Sequence, residues 1–149
     1  MLDFGSVAIA DLVLVVELAM AASLLLGGFV VRAGRVRLHA YMQSAVVLGN
    51  VPIVLVWMLP AYLADVWPGI PGELAQPFYW VPTVMLALGL VLESLGVYVI
   101  LVAGTNLVPE RFRFRSYKLW MRTVLVLWWV VLLAGIATYY VWFVTPVSS

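Results

Sequence analysis

Four long apolar runs joined by short polar connectors predict an all-α integral membrane protein, a four-helix transmembrane bundle. Three observations carry that prediction. Of 149 residues, 66% are hydrophobic and only 10% are charged, a surplus of apolar surface that no soluble interior of this size can hide. Each run exceeds the ~20 residues that cross about 30 Å of hydrocarbon. Finally, all eight Lys and Arg residues fall in the first and third connectors or in the first turns of the helices that follow them.

The first run covers about 7–31. A signal-peptide core is shorter and follows basic residues, whereas here Asp3 precedes the run and no base does, so it reads as a retained span. Arg32, Arg35 and Arg37 follow at once. The second run, about 38–62, contains Pro52, which a membrane helix tolerates as a kink. A turn-rich connector from Asp65 to Glu73 then carries two acids and no base.

The third run is about 79–104. Between it and the fourth, about 117–145, lies the hairpin Pro109–Arg122, which holds five of the eight basic residues. Connectors this short do not link independent units, so residues 1–149 form a single transmembrane domain. The positive-inside rule sets both basic connectors on the cytoplasmic side and both termini outside. The expected location is the plasma membrane of a prokaryote. Trp57, Tyr62, Trp67, Trp80, Tyr139, Tyr140 and Trp142 mark the outer interface, and Tyr117 and Trp120 the inner one.

Several functions are excluded early. The chain has no cysteine, which rules out disulfides, iron–sulfur clusters and thiolate zinc sites. A net charge of +1 gives no reason to expect a nucleic-acid partner. The sequence shows no phosphate-binding loop, nucleophile elbow, paired catalytic carboxylates or metal-ligand cluster, so it reads as a non-enzyme.

Polar groups deep in a span are costly and usually face protein, which makes each a site candidate. Counting along the helices puts Glu93, Gln43 and Arg122 in the inner third, with His39 near that level. Glu17 and Asn50 fall close to mid-membrane. Glu93 and Arg122 admit two readings: a polar pocket for protons, a quinone headgroup or a heme propionate, or a buried ion pair that fixes helix register with support from Gln43. The ion pair is preferred, because an opposite charge at matching depth accounts for both groups. Glu17 is expected as a neutral carboxyl bonded to Asn50 or to a partner subunit, and Asp11 as simply hydrated.

Small residues point the same way: Gly89, Glu93 and Gly96 share one helix face, and Ala19, Ser23 and Gly27 form a stripe on the first helix. His39 is the only histidine, so two-histidine heme ligation within one copy is impossible. As a metal ligand it is a weak candidate, paired with Met42, Met85 or Met121. Arg111, Arg113 and Arg115 alternate with Phe112 and Phe114. An extended segment would set bases on one side for docking on anionic lipid or an acidic partner, with a solvated loop as the plainer alternative.

Three segments together resemble the CtaM-like family of small four-helix membrane proteins, a domain of unknown function linked to assembly of heme–copper cytochrome oxidases. They are RVRLHAYM from Arg35 to Met42, RFRSYKLWMR from Arg113 to Arg122, and LLAGIATYY from Leu132 to Tyr140. His39 matches the family's histidine at the start of the second helix. The family's other histidines correspond to Tyr79 or Trp80, and to Tyr117. The resemblance therefore implies a scaffold without the family's cofactor-handling histidines. The expected function is a non-catalytic accessory or assembly subunit of a larger membrane complex, a respiratory heme–copper oxidase first among them, with other membrane subunits and the lipid bilayer as partners and no cofactor. One alternative is a heme- or quinone-binding redox protein using His39, Glu93 and Arg122. A small transporter is another.

Overall fold

The computed structural model describes residues 4–144 except Asn106, Phe114 and Arg115. Five α-helices make four spans: α1 (Phe4–Arg32), α2 (Val36–Ile53), which continues through a π-helical turn (Val54–Met58) into α3 (Leu59–Asp65), then α4 (Pro77–Gly104) and α5 (Tyr117–Tyr139). No strand occurs among the described residues. All four spans are long and apolar enough to cross a membrane. Sequence boundaries of 7–31, 38–62, 79–104 and 117–145 agree to within about three residues, except that residue 145 lies outside the description.

The second span is less regular than a kink at Pro52 implies. Pro52 and Pro60 lack the N–H groups that would bond the carbonyls of Leu48 and Val56. Between the two prolines the helix widens into the π turn, a common answer to a locally broken bonding ladder. A second π turn, Tyr140–Val144, continues α5. The connector after α3 winds through a short 3-10 turn (Trp67–Gly69) before Pro77 opens α4. Gly69 is required there, since a Cβ would fall 2.2 Å from the Tyr79 ring.

Around the bundle, α1 packs on α2 and α5, and α4 packs on α5 and α2. The core draws Leu24 from α1, Val46 and Val47 from α2, Leu92 from α4 and Trp128 from α5. One contiguous cluster thus joins all four spans. Charge divides the molecule into two ends. Arg32, Arg35 and Arg37 and the loop after α4 form a basic end, while the start of α1, the α3–α4 connector and the last turns of α5 form an acidic end.

At the basic end the helices approach closely. Gly27 is buried, and a Cβ there would lie 2.4 Å from Gln43 Nε2 and 3.2 Å from His39 Nδ1. A Cβ on Gly96 would lie 3.0 Å from Val47, which fixes the α2–α4 crossing as small residues do in membranes. The expected Ala19–Ser23–Gly27 stripe does not act as a unit. Ala19 is exposed, and Ser23 spends its hydroxyl on the Ala19 carbonyl at 2.9 Å. The buried seam of α1 is instead Ala21, Leu24 and Gly27.

Candidate functional site

Helical spacing gathers the deep polar groups. On the second span, Val46, Val47, Asn50 and Val54 fall on one face and are all buried. On α4, Leu92, Glu93, Gly96 and Val99 do the same. Where these faces meet, Asn50 Nδ2 donates to Glu93 Oε2 at 3.0 Å. Asn50 is 7% exposed and Glu93 9%. Asn50 Oδ1 and Glu93 Oε1 are both buried without a hydrogen-bond partner, an arrangement that costs free energy unless something else supplies a donor.

Glu17 comes from α1, on a face with Leu14, Ala21 and Leu24, and lies within electrostatic range of Glu93. Glu17 and Asn50 line a cavity of about 180 Å³. Its size is comparable to the ~150 Å³ apolar cavities that accept a benzene ring. Aromatic side chains stand among its mostly aliphatic walls: Trp57 and Tyr62 from the second span, Trp128, Tyr139, Trp142 and Phe143 from the fourth. The lining reaches the acidic end at Asp65, which is exposed. Among the described residues no Lys, Arg or His contributes to it. On the other side of the Asn50–Glu93 bond, Glu93 also borders a lateral groove between α2 and α4, formed with Val51, Val54, Leu55, Leu90, Ser94 and Val97.

Several expectations need correction. Glu93 does not pair with Arg122: its partner is Asn50, and Arg122 is exposed on α5. The reason is depth and azimuth together. Glu93 stands eleven residues before Gly104 and Arg122 five after Tyr117, so they differ by roughly 9 Å along the normal at 1.5 Å per residue, and Arg122 turns away from the face that carries Trp128. Gln43 supports neither, since its Nε2 donates to the Leu24 carbonyl at 3.4 Å. Asn50 is thereby committed to Glu93 and not to Glu17.

His39 Nδ1 lies 2.8 Å from the Gly27 carbonyl. A carbonyl only accepts, so this ring nitrogen carries the hydrogen. His39 thus ties α2 to α1 at the basic end and does not line the cavity, whereas Met85 does. Asp11 is not merely hydrated, because Tyr139 donates its hydroxyl to it and links α1 to α5 at the acidic end.

The alternating basic comb does not form over its described part. Glu110–Phe112 is a 3-10 turn, and Arg113 folds back to donate to the carbonyls of Val108 (3.1 Å) and Thr105 (2.8 Å). These lie just past α4, where free carbonyls attract a cation. Arg111 covers the Phe112 ring at 4.7 Å, and Arg115 lies outside the described residues. The residues that sequence reading missed are the cavity walls, Trp128 and Tyr139 above all. Their only signal was an aromatic concentration on the fourth span.

Comparisons with known proteins return no match: no family model fits the chain, and no curated protein or solved structure is significantly similar. Function therefore rests on the geometry alone.

Proposed function

We propose that this chain is a non-catalytic membrane binding subunit that holds a small, largely apolar molecule by a polar head. One observation carries the reading: a ring-sized cavity with aromatic and aliphatic walls takes in Glu17 and Asn50, and the buried Asn50 Oδ1 finds no donor among the described residues. Pockets for small molecules have this composition, apolar walls with a few convergent polar groups. A bound hydroxyl or amine would supply the missing donor.

The subunit would serve a larger membrane complex. A respiratory heme–copper oxidase is the candidate that the CtaM-like resemblance favours. The redox alternative shifts its ground, because His39 and Arg122 stand away from the cavity, leaving a quinol-type headgroup at Glu17 and Asn50 as its remaining form. With the basic end cytoplasmic, the cavity would face the outside of the cell.

Two experiments test this. Gentle extraction in native lipid, followed by mass spectrometry, should recover a near-stoichiometric small molecule that disappears in Asn50→Leu, together with partner subunits. An empty cavity in folded protein would count against the reading. Cysteines introduced into this cysteine-free chain test its orientation: Gly72→Cys should react with an impermeant reagent on intact cells, and Ser116→Cys only after permeabilisation.

A further inference from the structure

The chemistry of the cavity specifies its occupant more narrowly. We infer that the ligand is a lipophilic amine bound as its ammonium ion, a small aromatic or alkyl body carrying one positive head. This rests on the binding role proposed above and names the substrate class for that site.

Three independent features converge. The acids at the cavity are the carboxyls Glu17 and Asp65, with Glu93 bonded behind Asn50, and among the described residues no basic side chain joins the lining. A carboxylate deep in a membrane protein ordinarily faces a basic partner. Here the basic residue expected for Glu93, Arg122, is exposed elsewhere, so a positive charge must come from outside the chain if either acid is to be neutralised as an ion.

The second feature is hydrogen bonding. Asn50 Oδ1 belongs to a side chain more than nine-tenths buried and accepts from nothing among the described residues, and the Glu17 carboxyl lines the same cavity. An ammonium has up to three N–H donors and no acceptor, which matches a floor made of acceptors. A hydroxyl offers one donor and brings lone pairs that the floor does not need. An anion would meet only like charge.

The walls are the third. Trp57, Trp128 and Trp142 line the same cavity as Glu17 and Asp65, and indole is the best of the aromatic rings for attracting a cation. Asp65 at the acidic end places a further negative charge where a cation would enter.

Three probes with one body separate the possibilities. In folded protein in lipid nanodiscs at neutral pH, tryptophan fluorescence is titrated with 4-phenylbutylamine, 4-phenylbutanol and 4-phenylbutyrate. The amine should bind at least about tenfold more tightly than the alcohol, and the acid should not bind. Glu17→Gln should remove the amine's advantage over the alcohol. Trp57→Leu, which spares the polar floor, should weaken the amine more than the alcohol, so the inference does not depend on one carboxyl variant folding. Equal or tighter binding of the alcohol would overturn the amine assignment while leaving a binding role intact. Binding of none of the three would overturn the binding role itself.

Discussion

At the basic end the helices meet through missing side chains, while at the acidic end they are held apart by large ones. Gly27 lets His39 and Gln43 of α2 lie against α1, and Gly96 admits Val47. At the other end Trp57, Tyr62, Tyr139, Trp142 and Phe143 stand around open space, and Tyr139 bonds Asp11 near its rim. Polar groups follow suit. At the basic end His39 and Gln43 are satisfied by backbone carbonyls. At mid-bundle Asn50 and Glu93 satisfy each other by halves. The contrast teaches that one end is built for close helix approach and the other for a cavity that takes in polar and aromatic groups.

The strongest way to break that contrast is to remove the wedge between the halves. Trp128 is 2% exposed and belongs both to the core cluster and to the cavity wall. Trp128→Ala should cost on the order of 3 kcal/mol, read as a fall in unfolding midpoint in detergent, whereas Trp57→Leu should cost much less. Next comes the close-packed end. Gly27→Leu drives a side chain into Gln43 and His39 and should cost about 1–3 kcal/mol. Gly28→Leu, with nothing within 4 Å of its Cβ position, should be nearly neutral.

The polar floor gives a finer test. Asn50→Leu strips Glu93 of its donor and should destabilise by about 1–3 kcal/mol. Adding Glu93→Leu should recover much of that loss, because the orphaned acid goes with it. Arg122→Leu should stay within about 0.5 kcal/mol, and a loss as large as that of Asn50→Leu would restore the ion pair that the sequence implied. The smallest effect is expected at the rim, where Tyr139→Phe removes one exposed hydroxyl bond and should cost under about 1 kcal/mol.

Hydropathy made the four spans and nearly all their ends legible, because lipid imposes a length that the sequence must meet. It also made Glu17, Asn50 and Glu93 stand out, since a polar side chain at depth is rare. Their partners were another matter. Each helix is apolar almost all round, so the usual amphipathic cue to its rotation about its own axis is weak. A coarse depth reading that set both in the inner third allowed Glu93 to choose Arg122 over Asn50. The faces decided otherwise, and they were partly readable: Val46, Val47 and Asn50 share a stripe, as do Glu93 and Gly96. The cavity was not readable at all, because a void is a property of four helices together. The back-folding of Arg113 was hidden for a similar reason, since Thr105 and Val108 recruit it only once α4 has ended.

That Trp128 and Tyr139 lie on α5 has a consequence for the order in which the protein is made. As the ribosome delivers the spans in sequence, α1, α2 and α4 enter the bilayer while the wall that encloses Glu17 has yet to be synthesised. Until α5 arrives, the acid of the first helix borders lipid, an insertion factor or a neighbouring subunit. Completion of the last span is then the event that seals it away, so premature release of the nascent chain would leave a carboxyl facing hydrocarbon as a mark of unfinished assembly.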